Sequence, residues 1–251
     1  MGELEFDALG PLRVRRGDAT IELGPPQRRL VLVRLLVAGG VPVCRDRLLA
    51  DLWGADAPGG ATSALHAHIS RLRAVLGGRA TLVRDGSGYT LLAEPEACTT
   101  VRFETAARRA RRLAAEGDHA RARGVLEPAL DLWRGKPFED AAALGFARAA
   151  AARLQECRVA AAELHVEILL ALGEPQAATA EARELTVDHP LRESAWELLI
   201  RALYRSGRSA EALQQYGRIR NRLAEMFGAE PGPALRRLHL SVLRQDPSLA
   251  A

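Results

Sequence analysis

Cysteine is scarce in this sequence. The three cysteines, Cys44, Cys98 and Cys157, lie more than 50 residues apart. An odd number of widely spaced thiols fits neither a disulfide framework nor a cluster of metal ligands. This excludes a small secreted domain held together by disulfides, and we expect the chain in the reducing cytoplasm.

Long apolar runs are also missing. No stretch approaches the roughly 20 apolar residues that a membrane helix needs. The start of the chain carries Glu3, Glu5 and Asp7, whereas a signal peptide is basic at its start and apolar after it. We expect a soluble protein that is neither exported nor inserted in a membrane.

Lysine is nearly absent as well. Lys136 is the only lysine among 35 basic residues, and the formal net charge is +4. The planar guanidinium of arginine suits paired contacts with phosphates and guanine edges better than an ammonium does. A genome rich in G and C would produce the same bias through its arginine codons. The positions of the arginines, and not the net charge, must therefore decide whether the partner is a nucleic acid.

What the sequence does contain is enough apolar surface for a globular core. Of its 251 residues 48% are hydrophobic and 26% are charged, and this length favours two domains over one. Turn signals at Gly10-Pro11 and Gly17-Asp18 separate three short segments of mixed apolar and polar residues. These segments predict antiparallel strands at Leu4–Leu9, Leu12–Arg15 and Thr20–Leu23.

Helical spacing begins after Gly24. The first predicted helix has a single apolar face and ends at Gly39-Gly40. The residues of that face are Leu30, Val33, Leu36 and Val37. Two further helices are predicted at Arg45–Trp53 and Ala61–Leu76, separated by the loop Gly54–Gly60, which is too rich in Gly, Ala and Pro to stay helical.

A β-hairpin is predicted after the third helix. Its strands are Thr81–Arg84 and Tyr89–Leu92, and its turn is Asp85–Gly88. Strands, three helices and a hairpin in this order predict an α+β winged helix-turn-helix domain over residues 1–95.

The remainder, residues 96–251, has helical periodicity and little strand signal, which predicts an all-α domain. A segment starting at Gly173 aligns with one starting at Gly207, and this spacing of 34 residues is the period of a tetratricopeptide helix pair. The segment at Gly117 resembles both but lies 56 residues before Gly173. We therefore expect an insertion around Trp133–Leu144.

Packing within these repeats follows from residue size. Small residues such as Ala177, Ala182 and Ala212 let paired helices approach closely. Larger residues are expected to fill the core between the helices: Trp196, Leu199, Leu203 and Tyr204. The predicted fold class is thus an α+β winged helix-turn-helix domain followed by an all-α tetratricopeptide-like domain, an architecture that binds partners and rarely performs chemistry.

The helix predicted at Ala61–Leu76 has two contrasting faces at about 100° per residue. One narrow stripe is apolar and consists of Leu65, Ile69, Leu72 and Leu76. The opposite stripe holds only small residues, namely Ser63, Ala67, Ser70 and Ala74. His66 and Arg71 flank the small-residue stripe, and Arg73 lies further round toward the core.

This second face suits the major groove of DNA. A groove about 12 Å wide admits a helix whose inserted face is small, while longer flanking side chains reach base edges and phosphates. We predict DNA contacts from Ser63, His66, Ala67, Ser70 and Arg71, with two hydrogen bonds from Arg71 to guanine or phosphate. An ordinary solvated face has a similar composition, so it is the winged-helix context that favours DNA.

The wing provides further candidates. Arg84 and the turn containing Ser87 are predicted near the DNA backbone, and Tyr89 is expected to pack beneath the wing. Arg73 is expected at a phosphate or in an internal ion pair.

Short motifs of the first half resemble the OmpR-type winged helix of the Streptomyces antibiotic regulatory protein family. They are Pro11-Leu12, Gln27-Arg28-Arg29, Leu52-Trp53-Gly54, Leu65-His66, Ser70-Arg71-Leu72-Arg73 and Gly88-Tyr89. Motifs of the second half resemble the bacterial transcriptional activation domain of that family. They are Leu132-Trp133-Arg134-Gly135, His189-Pro190-Leu191-Arg192-Glu193, Leu203-Tyr204-Arg205-Ser206-Gly207-Arg208 and Gly232-Pro233-Ala234-Leu235-Arg236-Arg237-Leu238-His239. Their succession across nearly the whole chain makes the resemblance specific.

The resemblance implies an activator of a secondary-metabolite gene cluster. Such an activator binds direct repeats in double-stranded promoter DNA, as a homodimer, and recruits RNA polymerase holoenzyme through its sigma factor and other subunits. In that family the loop matching Gly54–Gly60 faces the polymerase, which makes Gly54, Ala55, Asp56 and Ala57 the implied contacts. Because the chain ends at Ala251, we expect it to lack the nucleotide-binding domain of longer family members.

The sequence departs from the family pattern at two places. Cys44 stands where the family has a serine that caps the second helix, and losing such a cap costs about 1 kcal/mol. Thr99-Thr100-Val101 replaces a more acidic entry to the second domain.

Two other classes of function agree less well with the sequence. An enzyme is disfavoured because Gly86-Ser87-Gly88 lies in a hairpin turn and not between a strand and a helix, and because His66 and His68 diverge by about 200°. We therefore expect no catalytic residues, no cofactor and no metal. A pure tetratricopeptide scaffold is the second alternative, and it would not bind duplex DNA.

Overall fold

The computed structural model describes residues 3–54, 57–77, 81–86 and 88–249. The chain divides into two compact units. The first unit comprises Met1–Ala106 and Asp131–Cys157, and the second comprises Ala107–Leu130 and Arg158–Ala251. The sequence boundary predicted between residues 95 and 96 stays a prediction.

The first unit begins with a three-stranded antiparallel sheet. Its strands are β1 (Leu4–Asp7), β2 (Arg13–Arg16) and β3 (Ala19–Thr20), in the order β1-β2-β3. Phe6 and Val14 are paired in register, and both side chains are buried. The three predicted strands are confirmed, although the third ends at Thr20, and the predicted extension to Leu23 is wrong.

Three helices follow the sheet: α1 (Pro26–Val37), α2 (Arg45–Trp53) and α3 (Ala61–Leu76). The bounds of α2 and α3 are those predicted. The single apolar face predicted for α1 is wrong, because the helix buries Val31, Leu32, Val33 and Leu35. These residues point to several sides since α1 packs against α2, α3 and the hairpin at once.

A second three-stranded sheet closes the winged helix. Its strands β4 (Val43–Cys44), β5 (Leu82–Asp85) and β6 (Gly88–Leu91) have the order β4-β6-β5. The predicted hairpin β5–β6 is confirmed, whereas β4 was missed. At Gly88 a Cβ atom would lie 2.8 Å from the carbonyl oxygen of Val43, so glycine permits this close approach of β4 to β6.

Cys44 also begins α2 without a capping bond. Its side chain forms no hydrogen bond with the first turn of the helix, as expected from the replacement of serine.

The first residues of the next helix, α4 (Thr99–Ala115), are hydrogen-bonded to β1 and to the residue that follows it. Thr99 is buried, its hydroxyl accepts a hydrogen bond from the Ala8 amide at 3.0 Å, and it donates one to the Phe6 carbonyl at 3.3 Å. Cys98 forms a parallel bridge with Phe6, and burial raises the pKa of the Cys98 thiol to about 11. The neutral Thr99 hydroxyl thus forms hydrogen bonds with the Ala8 amide and the Phe6 carbonyl. It does so at the start of the second domain, where a more acidic sequence was expected.

The all-α part of the chain contains seven helices within the described residues. They are α4 (Thr99–Ala115), α5 (His119–Leu130), α6 (Gly145–Ala171), α7 (Pro175–Asp188), α8 (Glu193–Arg205), α9 (Ser209–Phe227) and α10 (Pro233–Leu243). The first parts of α4 and α6, as far as Ala106 and Cys157, belong to the first unit. Across the described residues, no helix is both long and apolar enough to span a membrane.

The three predicted repeat copies share one turn. Gly117, Gly173 and Gly207 each follow a helix with φ values of 81°, 76° and 75°. In each copy the amide after the glycine donates to a carbonyl five residues earlier at 2.9 Å, as in Asp118 to Leu113. This is the Schellman pattern, which favours glycine because the backbone is left-handed there. The repeat is confirmed.

The core of the second unit lies between α6, α7, α8, α9 and α10. Ala182 and Ala212 are fully buried as predicted. The large side chains Trp196, Leu199 and Leu203 are buried in the core as predicted, while Tyr204 is half-buried. The prediction for Ala177 is wrong: it is exposed, and its neighbour Ala178 packs in the core.

Residues 131–144 interrupt the helices where the insertion was predicted, with one short 3-10 helix at Glu139–Ala141. They are hydrogen-bonded to the connection between β1 and β2 in the first unit. The Arg134 amide donates to the Leu9 carbonyl at 2.7 Å, and the Phe138 amide donates to the Ala8 carbonyl at 2.9 Å. The insertion therefore completes the winged-helix unit.

Candidate nucleic-acid interface

The candidate interface is built on α3. Leu65, Ile69, Leu72 and Leu76 are each at most 2% exposed, which confirms the predicted apolar stripe. Their burial against α1 and α2 fixes the rotation of α3 about its axis. The opposite stripe is therefore held outward.

The outward face contains the predicted contact residues. Six side chains of α3 are exposed together on it: Ser63, His66, Ala67, Ser70, Arg71 and Ala74. Within the described part of the chain, His66 and Arg71 form no hydrogen bond or ion pair, so their polar atoms are available to a partner. The structure brings these residues together on one surface, and their contacts with DNA stay a prediction.

Arg73 has a different environment. Its Nε donates to the Leu82 carbonyl on β5 at 2.7 Å, and its guanidinium carbon lies 5.9 Å from the ring centroid of Tyr89 on β6. The expected internal partner is thus a backbone carbonyl and an aromatic ring, not a carboxylate. Arg73 joins α3 to the wing.

The wing places Arg84 outward and Tyr89 inward. Arg84 is exposed on β5, directly opposite Tyr89 in the register of the hairpin. Tyr89 is 4% exposed, so its predicted packing beneath the wing is confirmed. Ser87, the other predicted wing contact, lies outside the described residues.

The electrostatics of α3 favour an anion. The helix contains no acidic residue, and Gly60 at its N-cap provides no side-chain hydrogen bond. The first-turn amides and the positive end of the helix dipole are therefore not neutralised from within the helix. Burial, together with the positive charge of Arg28, lowers the pKa of His68, so His68 is neutral near pH 7. The polar side chains that flank the small-residue face of α3 are then the exposed His66 and Arg71.

The loop predicted to face the polymerase is exposed where it is described. Gly54 ends α2 with φ 72°, and both Gly54 and Ala57 are exposed. Ala55 and Asp56, the other two predicted contacts, lie outside the described residues. The Pro58 carbonyl accepts the Ala61 amide at 2.8 Å, which joins the end of the loop to the start of α3.

Sequence reasoning missed the residues that support the interface. Asp140 accepts hydrogen bonds from the Leu12 amide at 2.5 Å and from Arg29 Nε at 2.6 Å. Arg134 donates to the Pro11 carbonyl at 3.0 Å. No periodicity links positions more than 100 residues apart, so only the predicted insertion pointed to this region.

No group of three or more His, Cys, Asp or Glu side chains suited to a metal occurs among the described residues.

A three-helix core with a β-hairpin wing, followed by repeated helix pairs, defines a winged-helix regulator with a tetratricopeptide-like domain. The family model described as "Transcriptional regulatory protein, C terminal" matches residues 18–91, and the "Bacterial transcriptional activator domain" matches residues 98–243. The chain belongs to the Streptomyces antibiotic regulatory protein family. This is a family of regulators and not of enzymes.

Two regulatory proteins of Streptomyces resemble nearly the whole chain. The regulatory protein AfsR of Streptomyces griseus is 37% identical over 247 residues, which cover 98% of this chain and 25% of AfsR. The transcriptional regulator RedD of Streptomyces coelicolor is 34% identical over 261 residues, which cover 99% of this chain and 73% of RedD. The chain thus spans only a quarter of AfsR but most of RedD.

A solved structure has the same fold. Mycobacterium tuberculosis EmbR, determined in complex with a low affinity phosphopeptide, superposes with a TM-score of 0.94 at 34% sequence identity. The match covers 100% of this chain and 69% of the EmbR chain. It confirms the predicted fold class of a winged-helix domain followed by a helical domain.

Proposed function

We propose that this chain is a sequence-specific transcriptional activator that inserts α3 into the major groove of promoter DNA. The observation that carries the proposal is the exposed small-residue face of α3 between His66 and Arg71. Small side chains allow the backbone to approach the base edges, and the flanking side chains reach them by hydrogen bonds. In this arrangement Ser63, Ala67 and Ser70 permit the approach.

The roles of the basic residues differ. Arg71 donates two hydrogen bonds to guanine or to a phosphate, and His66 contacts a base edge. Arg84, with Ser87 in the same wing, contacts the DNA backbone, which positions the domain without reading sequence. Arg73 keeps its hydrogen bond to Leu82 and orients the wing, and its remaining donors face a phosphate.

The rest of the proposed activity follows from the family. The activator binds direct repeats near a promoter as a homodimer and controls a secondary-metabolite gene cluster. It recruits RNA polymerase holoenzyme through Gly54, Ala55, Asp56 and Ala57, and the exposure of Gly54 and Ala57 supports this assignment. Footprinting on promoter DNA with and without polymerase checks it: polymerase should extend the footprint at promoters carrying the repeats.

Fluorescence anisotropy with promoter DNA tests the DNA-binding roles of Arg71 and Arg84. Arg71→Ala should weaken binding by about 1–3 kcal/mol and relax base preference, because a bidentate base contact is lost. Arg84→Ala should weaken binding to all sequences alike and reduce the salt slope, because one phosphate contact releases counterions. Arg236→Ala, an exposed arginine of α10, is the matched control and should bind as the wild type.

Two results would contradict these roles. Unchanged affinity of Arg71→Ala would remove α3 as the reading helix. A change of base preference in Arg84→Ala would contradict a backbone contact of the wing.

A further inference from the structure

A groove of about 790 Å³ lies in the second unit between α7, α8 and α9. None of its lining residues belongs to α3 or to the loop Gly54–Gly60, and the function proposed above does not use it. Its volume is within the range of cavities that bind small ligands or short peptide segments.

The floor of the groove is apolar. Trp196 and Leu199 of α8 are 6% and 1% exposed, and the Trp196 indole N–H donates to the Pro190 carbonyl at 3.1 Å. Val187 of α7 lines the same groove and is 77% exposed. An exposed valine beside a buried indole offers a partner an apolar contact that the chain itself leaves open.

The wall formed by α9 is basic. Arg218 and Arg222 are exposed in the groove, and among the described residues neither pairs with a carboxylate. Arg218 donates to the Gln215 side-chain oxygen at 3.3 Å, and Arg222 lies 5.9 Å from the Trp196 ring centroid. Both guanidinium groups thus contact neutral partners.

The remaining charges leave the groove with a positive excess. Arg183 of α7 lines the opposite wall and shares Glu211 with Arg208. Glu225 is the carboxylate that lines the groove. Arg218 and Arg222, which pair with no carboxylate among the described residues, therefore face one lining carboxylate, and Arg183 adds a guanidinium that already pairs with Glu211.

We propose that this groove binds an acidic peptide segment of a partner protein, one that alternates carboxylate and apolar side chains. The carboxylates pair with Arg218, Arg222 and Arg183, and the apolar side chains contact Val187 and Trp196. Arginine forks bind carboxylates bidentately, which gives both affinity and register. A nucleic-acid backbone would match the arginines but would leave the apolar floor unused.

The test uses the full chain and fluorescein-labelled peptides of about twelve residues in which Asp and Glu alternate with Leu, Ile and Phe. A matched set replaces each carboxylate by its amide. The acidic set should bind with an affinity that falls as salt rises, because exposed charges are screened. The amide set should bind about tenfold more weakly or worse.

Charge reversal locates the binding site. The double variant Arg218→Glu, Arg222→Glu should weaken binding of the acidic peptides by about tenfold or more. Arg236→Glu, which makes one such reversal on α10 outside the groove, should leave binding unchanged. If the double variant does not fold, an acidic peptide carrying benzoylphenylalanine is crosslinked to the wild-type chain, and crosslinks between residues 183 and 225 support the proposal.

Three results would overturn it. The first is equal binding of the acidic and amide peptides, or binding of neither. The second is crosslinking outside residues 183–225. The third is tighter binding of single-stranded oligo-dT than of peptide, lost in the double variant, which would assign the groove to nucleic acid.

Discussion

Arg71 and Arg73 lie two residues apart on α3 and point about 200° away from each other. Arg71 is exposed and unpaired within the described residues, whereas Arg73 is half-buried and bound to the Leu82 carbonyl and the Tyr89 ring. Residue type alone does not separate them. Their positions around the helix make one a candidate reader and the other a support for the wing.

Arg73→Ala should destabilise the protein by about 1–2 kcal/mol, because it removes a charged hydrogen bond to a backbone carbonyl and a cation–π contact. The midpoint of thermal unfolding followed by circular dichroism measures this effect. Arg71→Ala is the matched control and should melt as the wild type. Equal melting of both variants would show that Arg73 does not hold the wing.

At the scale of elements, α6 is joined to both neighbouring repeat helices by one buried histidine. His165 lies 2.7 Å from Glu181 of α7 and 3.2 Å from Glu127 of α5. Glu127 also accepts a hydrogen bond from Arg123, which reaches Glu174. The hydrogen bond with Glu181 raises the pKa of His165 above its usual value, against the opposing effect of burial.

A raised pKa in the folded state predicts a pH dependence of stability. The contribution of charged His165 is complete below about pH 6.5, the pKa of an unfolded histidine, and it is lost as pH rises through the higher folded value. Urea unfolding followed by circular dichroism should therefore show falling stability above about pH 6.5.

His165→Gln should flatten this dependence and cost about 1–3 kcal/mol at pH 6, where the wild-type charge pairs are intact. His189→Gln is the control, since His189 bonds no carboxylate in the described part of the second unit. A wild-type stability that stays constant between pH 6 and pH 9 would contradict the charged state of His165.

At the scale of the whole molecule, the first compact unit is assembled from distant parts of the sequence. Residues 131–157 belong with the winged helix, although they follow α4 and α5 in the chain. Asp140 is one of the polar links between this insertion and the winged helix. Burial alone would raise the pKa of Asp140, but its hydrogen bonds with Arg29 and with the Leu12 amide outweigh burial and hold the pKa below its usual value.

Asp140→Asn should therefore destabilise the first unit by about 1–3 kcal/mol near neutral pH, because it leaves Arg29 without its carboxylate. The difference from the wild type should shrink as pH falls toward about 4 and below, where the carboxyl group is protonated in the unfolded chain. Hydrogen exchange of β1, β2 and α1 amides measures the effect on this unit. Asp131→Asn, an exposed aspartate of the same segment, should exchange as the wild type.

Local features of the protein could be predicted because local spacing specifies them. The bounds of α2 and α3, the hairpin, the turn glycines Gly117, Gly173 and Gly207, and the two faces of α3 all follow from patterns within a few residues. The family motifs made the order of the two domains predictable as well. The outward face of the candidate site is thus a property of the sequence of α3 and of its apolar stripe.

Other features were decided only by the tertiary structure. These features are the strand β4, the several buried sides of α1, the partners of Arg73, and the hydrogen bonds of Asp140 with Leu12 and Arg29. Each depends on segments that are far apart in the chain. Sequence periodicity reports which side of an element is apolar, but not which segment covers it. That choice depends on how the elements pack around a common core, and it therefore appears only in the folded molecule.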